Sequence, residues 1–207
     1  MTKEILWNKN QTIGYFPVDK WLEENKKDHP YDQDYFKKYE YYASTPMGVS
    51  ITQARLDLIL KYNPGEILDI GIGSGAFMDL CNSIGVTTYG YDVNPIAVNK
   101  LGKMFRDPEL GFFDSLSFWD SLEHMKNPRS ALFAADRFVF LTIPIFEDPD
   151  HARRSKHFRP DEHYWYLTHH GLIDLMFASG FYLVEHNRME EDLGREDVGS
   201  YVFRRGL

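Results

Sequence analysis

The stretch ILDIGIGSGAF at residues 67–77 sets glycine at every second position, Gly71, Gly73 and Gly75, directly behind a short apolar run. A run of that kind reads as a strand ending in a tight turn, because glycine permits the left-handed backbone a turn needs and lets another group approach the main chain. The segment that follows, GAFMDLCNSIG, has the pattern of a helix stopped by Gly85. Its first turn presents free N–H groups toward the loop, a setting that suits a polar or anionic ligand. A strand, a bare loop and a helix in that order restrict the chain to folds built from β-α units.

The rest of the sequence repeats the unit. VTTYGYD reads as a strand, and PIAVNKLGKM as a helix opened by Pro95; GFFDSLSFWD and DRFVFLTIP read as buried strands. PDEHYWYLTHHGLIDLMFASG is expected to be one helix, with Pro160 at its start, Asp161 and Glu162 in its first turn and Gly180 at its end. FYLVEHNRM and GSYVFRR follow without an intervening helix, so they should pair as an antiparallel hairpin. The expected fold class is α/β, a doubly wound and mostly parallel sheet with a mixed edge. Residues 65–207 would form this Rossmann-like domain. Residues 1–64 would form an N-terminal helical extension, in which SITQARLDLILKYNP places Ile51, Ala54, Leu58 and Tyr62 on one face. Tyr31, Tyr35, Tyr39, Tyr41 and Tyr42 fit a packed helix face or, alternatively, a lid that excludes water from a site.

Composition narrows the function. With 43% hydrophobic residues the chain can form a real core, and a net charge of -8 argues against a surface that binds by neutralising nucleic-acid phosphates. Cys81 is the sole cysteine, which excludes an intrachain disulfide and a multi-cysteine zinc site. The absence of a signal-peptide pattern and of any long apolar run leads us to expect a cytoplasmic protein without membrane spans. Histidines cluster between His151 and His170, but no pair stands four apart within the expected helix, so no metal site is expected.

In a doubly wound sheet, ligands bind beyond the carboxyl ends of the strands where the strand order reverses. Asp92 closes the second strand at a distance suited to accepting hydrogen bonds from two ribose hydroxyls. The loop alone also fits a dinucleotide pattern, so NAD remains open on that signal. Asp69 separates the two: a carboxylate just before the glycines would repel a pyrophosphate, whereas it could face the ammonium of S-adenosylmethionine.

ILDIGIGSGAF, YGYDVNP, FDSLSFWDSLEHMKNP and HFRPDEHYWYLTHHGLIDLMFASGF resemble, in that order, the successive motifs of class I S-adenosylmethionine-dependent methyltransferases, closest to the branch with ubiquinone-type O-methyltransferases. The resemblance implies a seven-stranded-type sheet and S-adenosylmethionine as cofactor. It implies that Asp69, Gly71, Gly73 and Gly75 hold the methionine end and sugar, that Asp92 binds the ribose, and that Val93 and Asn94 flank the adenine. Trp119 and Asp120 would line the cofactor and substrate crevice, with Asp120 also serving the chemistry. The chain departs from the family between Asp92 and Asp114, where too few residues stand for a helix, a third strand and another helix. The third strand is expected to be shortened or missing, with KMFRD as its remnant.

His157, on the loop after the strand that ends at Pro144, is the candidate general base, since an imidazole suits proton removal from a hydroxyl near neutral pH. The expected activity is methyl transfer to a small-molecule acceptor at oxygen. Rival readings are a cofactor-binding protein without catalysis and an NAD-dependent oxidoreductase.

Overall fold

The structure is a computed structural model, and it describes residues 4–206. The N-terminal part carries strands β1 (Leu6–Trp7) and β2 (Ile13–Tyr15) and helices α1 (Val18–Asn25), α2 (Gln33–Ser44) and α3 (Pro46–Leu60). The chain continues through β3 (Ile67–Ile70), α4 (Ala76–Ser83), β4 (Thr88–Tyr91), α5 (Pro95–Leu101), β5 (Phe113–Trp119), α6 (Pro128–Leu132) and β6 (Ala135–Pro144). It closes with α7 (Pro149–Arg154), β7 (Trp165–Leu167), α8 (His169–Phe177), β8 (Phe181–Asn187), α9 (Met189–Asp192) and β9 (Val198–Arg205).

Six strands form the main sheet in the order β4-β3-β5-β6-β9-β8. The first four are parallel, and β9 runs antiparallel between β6 and β8, which gives the expected C-terminal hairpin. From β3 the chain moves to β4 on one side and then to β5 on the other, so the strand order reverses at β3. Their carboxyl ends define the crevice where such sheets take ligands.

Helices cover both faces. On one, Leu58 and Ile59 of α3 and Phe77 of α4 pack against Ile67, Phe140 and Val202. On the other, Leu132 of α6 and Leu172 and Met176 of α8 pack against Leu68, Leu116, Val139 and Phe203. Burial on both faces explains why residues 138–144 of β6 read as a near-continuous apolar run rather than an alternating one, and why the Ser115 and Ser117 hydroxyls of β5 are hydrogen-bonded within the core. Each large apolar side chain withdrawn from water contributes about 1.5–3 kcal/mol before ordering entropy is counted.

The shortened third strand survives as one parallel bridge, Gly90 to Phe105, with Arg106 N–H donating to the Gly90 carbonyl at 3.0 Å. Phe105 lies in KMFRD, the expected remnant.

Two expectations are corrected. The segment from Pro160 to Gly180 is not one helix: residues 160–164 form a turn, β7 follows, and α8 begins only at His169. The aromatic residues of β7 pair antiparallel with β2, and Thr168 then caps α8 by accepting the Gly171 N–H at 3.1 Å. Residues 4–17 are not helical either; β1, β2 and β7 build a second, three-stranded antiparallel sheet. Its core of Phe16, Trp21, Phe146 and Tyr166 abuts the main domain. No helix among the described residues is long and apolar enough to cross a membrane.

Candidate active site

A cavity of about 810 Å³ opens at the carboxyl ends of β3, β4 and β5 and is roofed by α2. At one end stands the glycine loop. Gly71 and Gly73 have φ of 79° and 53°, in the left-handed region. A Cβ on Gly71 would lie 2.6 Å from the Ser121 Cβ, whereas one on Gly73 would enter open space. Asp92 ties the loop to the end of β4: its carboxylate accepts the Gly73 N–H at 3.1 Å and the Asn94 N–H at 2.8 Å. A carboxylate offers about four lone-pair sites, so two bonds leave room for a ligand's hydroxyls. Burial pushes the Asp92 carboxyl above its ordinary value, opposed by those main-chain bonds.

Asp69 sits near the end of β3, buried, with Ser117 Oγ donating to it at 2.7 Å. Burial pushes its carboxyl up to about 7, with the Ser117 bond opposing. The Arg55 guanidinium draws it down only in part, so a closer cation would stabilise the charged form. Asn94 is the N-cap of α5, accepting the Ile96 N–H at 2.9 Å, and Val93 beside it is exposed on the cavity rim. Of the residues expected to meet the cofactor, Asp69, Gly71, Gly73, Asp92, Val93, Asn94, Trp119 and Asp120 share this wall; Gly75 stands behind it, as the left-handed N-cap of α4.

Trp119 ends β5 with its ring edge-on to Phe77 at 5.0 Å and with the Arg55 guanidinium 5.1 Å from its centre. Asp120 follows with φ of 56°, an uncommon conformation for a residue other than glycine. Arg55 and Arg195 reach its carboxylate at 3.1 and 2.5 Å. Both also meet Glu190, fully buried on α9, Arg55 at 2.6 Å. Burial opposes ionisation of Asp120, but Arg195 and Arg55 outweigh it and hold the carboxyl below its ordinary value. A carboxylate so committed accepts a proton poorly, so Asp120 is better suited to fixing the two guanidiniums than to acting as a base.

The far end of the cavity holds polar groups to which the sequence expectations gave no part in the site. Glu123 and His124 lie on the 3-10 turn at Leu122–His124, and His163 lies just before β7. The His124 and His163 rings are 4.6 Å apart, and burial lowers both, His124 to about 4. His157 also lines the cavity, but its Nε2 lies 3.0 Å from the Glu196 carbonyl, leaving Nδ1 as its available nitrogen. Burial lowers the His157 pKa, so the ring is neutral at pH 7. His151 turns elsewhere, to Asp197 at 3.3 Å.

From α2 and its approach, Tyr31, Tyr35 and Tyr39 cover this end, with ring centres 5.3 and 4.7 Å apart in succession, while Tyr41 faces solvent. The tyrosines are therefore both a packed ladder and a roof. Adjacent Glu123 and His124 were the available signal for the far end; Arg55, Arg159 and Arg195 carried none, because only the tertiary fold aims them inward.

A strand-order reversal, a left-handed glycine loop and two acids at successive strand ends define a Rossmann-like domain of the kind that binds a nucleoside cofactor. The chain belongs to a methyltransferase-domain family, whose sequence profile matches residues 40–186. That bears out the resemblance to methyltransferases read from the motifs, at the level of the family and not of the ubiquinone-type branch. Among curated sequences none matches the chain. Solved structures share the fold. The 1,6-didemethyltoxoflavin-N1-methyltransferase of Burkholderia thailandensis, with 1,6-didemethyltoxoflavin and S-adenosylhomocysteine bound, is 15% identical with a TM-score of 0.62, over 99% of this chain and all of that one. The magnesium protoporphyrin IX methyltransferase of Synechocystis, with S-adenosylhomocysteine, is 14% identical at 0.59, over 85% and 96%. The N-methyltransferase NodS of Bradyrhizobium japonicum is 14% identical at 0.58, over 85% and 100%.

Proposed function

We propose that the protein is a cytoplasmic enzyme that transfers the methyl group of S-adenosylmethionine to an oxygen of a small-molecule acceptor. The residues at the glycine loop fit that cofactor: a bare turn for close approach, an acid for the ribose hydroxyls and a second, cation-seeking acid for the ammonium. Asp69 would face the ammonium, Gly71 and Gly73 would pass the sugar and methionine chain, and Asp92 would accept from the ribose. Val93 and Asn94 would flank the adenine, Trp119 would wall the crevice, and Gly75 would fix the loop from behind. When bound, the cofactor supplies a sulfonium-activated methyl carbon, so no covalent enzyme intermediate is needed.

The chain's own task is alignment and dehydration. Tyr31, Tyr35 and Tyr39 roof the acceptor against water, and the Arg55–Asp120–Arg195 network fixes the wall between the two ends of the cavity. Holding the acceptor in line with the methyl carbon is worth up to ~7–11 kcal/mol of barrier in favourable cases. His157, neutral and with Nδ1 free, is the proposed proton acceptor for an acceptor hydroxyl, worth about 10²–10⁴-fold. Asp120 assists by holding the arginines rather than by moving protons.

The observation that carries this reading is the continuity of one cavity from the Asp69–Asp92 cradle to the imidazole-lined pocket. Oxygen is preferred as the target because neutral imidazoles serve a hydroxyl nucleophile, whereas a neutral amine needs no base before attack. Incubation with methyl-labelled S-adenosylmethionine and an extract of small molecules should give a labelled ether or ester. A labelled N-methyl product would refute the oxygen assignment, and no labelled product at all would refute catalysis.

A further inference from the structure

The acceptor end of the cavity contains a carboxylate that the fold alone does not explain. Glu123 is 1% exposed, and neither of its oxygens has a hydrogen-bond partner. Leaving an ionised carboxylate in that state is costly unless a cation or metal pairs with it. Two imidazoles stand against it: His124 Nε2 is 4.0 Å from the Glu123 carboxylate, and the His163 ring packs edge-on against His124. One donor atom from each of the three lies within 4.8 Å of the others, on the wall of the cavity.

We propose that Glu123, His124 and His163 form a binding site for a divalent first-row transition ion of the zinc or ferrous type. Two imidazoles and one carboxylate make a donor set too rich in nitrogen for magnesium or calcium and suited to those ions. The surroundings orient the ligands as an outer shell does. Tyr31 hydroxyl lies 3.1 Å from His124 Nδ1, with Glu162 beyond it at 3.9 Å, so Nε2 is left facing Glu123. Glu162 is in turn held by Tyr35 at 3.0 Å and by Arg159 at 3.4 Å. The donor atoms, within 4.8 Å of one another, must close by up to about 1.4 Å to reach the separations of roughly 3.4 Å that follow from bonds near 2.1 Å, a change within reach of side-chain rotation.

Three ligands on one wall leave the cavity side of the ion open. An acceptor hydroxyl or carboxylate would be drawn there, which would favour an oxyanion nucleophile at neutral pH. The site departs from the sequence expectation of no metal, which weighed the histidines between His151 and His170 among themselves and not with Glu123 and His124. It does not depend on the cofactor reading, since the ion and S-adenosylhomocysteine would occupy opposite ends of the cavity.

The test is equilibrium dialysis of the chelator-treated full chain against zinc in excess magnesium, read by elemental analysis, with the visible spectrum of the cobalt-substituted protein as a coordination signature. The expected result is one zinc per chain and a cobalt spectrum of a nitrogen-oxygen site. Glu123→Gln and His163→Ala should each weaken zinc at least ~10-fold, while His170→Ala, on an exposed residue of α8, leaves it unchanged. Circular dichroism and S-adenosylhomocysteine affinity, measured on the same samples, separate loss of the ion from loss of the fold or of the cofactor reading. Zinc retained no better than background by the wild type, or equally by wild type and both folded variants, would overturn the proposal.

Discussion

Asp69→Asn separates the cost of the site from its use. In the unfolded chain the carboxyl ionises near 3.8; in the folded, ligand-free protein burial raises it to about 7. Between those values the folded state binds a proton that the unfolded state has released, so this group's contribution to stability falls as pH rises from about 4 to about 7. Each pH unit is worth ~1.36 kcal/mol, so roughly three units give at most ~4 kcal/mol above pH 7. Between pH 5 and pH 8 the change is ~2–3 kcal/mol. Asparagine keeps an acceptor for the Ser117 hydroxyl but carries no charge. Urea denaturation of both proteins at the two pH values should therefore show the stability gap in favour of the variant widening by that amount, other titrating groups cancelling in the difference. Saturating S-adenosylhomocysteine, with its ammonium opposite the carboxylate, should narrow or reverse the gap at pH 8. A gap that is flat with pH would refute the reasoning, because it would mean that Asp69 is not held as an unpaired buried acid.

Glu190→Ala leaves two guanidiniums facing a single carboxylate and should destabilise the fold by ~3–5 kcal/mol in equilibrium unfolding. Gly71→Ala combines a left-handed backbone with a 2.6 Å approach to Ser121 and should lower stability by ~1–3 kcal/mol. Gly73→Ala, whose Cβ meets only the open cleft, should cost ~1 kcal/mol of stability and weaken S-adenosylhomocysteine further, by calorimetry. Tyr31→Phe should raise KM for the acceptor without changing S-adenosylhomocysteine affinity, since its hydroxyl meets His124 at the acceptor end.

What could be read from the sequence is what is encoded locally. The glycine loop and the opening of α5 at Pro95 depend on residues a few positions apart, and the loop points to its ligand through Asp69 and Asp92 at neighbouring strand ends. The second sheet could not be read, because β1 and β2 are very short and find their third strand, β7, near the other end of the chain. For the same reason HYWYL looked helical: its aromatic alternation means a strand only when β2 is there to pair with it. The Arg55–Asp120–Glu190–Arg195 network joins α3, the end of β5 and the α9–β9 region, and nothing in the spacing of those residues foretells the meeting. Asp120, expected to line the crevice and serve the chemistry, is therefore a doubly paired acid in the fold.

Isothermal titration of the protein with S-adenosylhomocysteine and with NAD, repeated with Asp92→Ala, reads out whether the glycine loop is a cradle specific for S-adenosylmethionine. The expected result is one S-adenosylhomocysteine site per chain, weakened at least ~10-fold by the substitution, the loss expected for about 1.4 kcal/mol of ribose hydrogen bonding, and no heat with NAD. Binding of NAD without S-adenosylhomocysteine, or S-adenosylhomocysteine binding indifferent to Asp92, would contradict it.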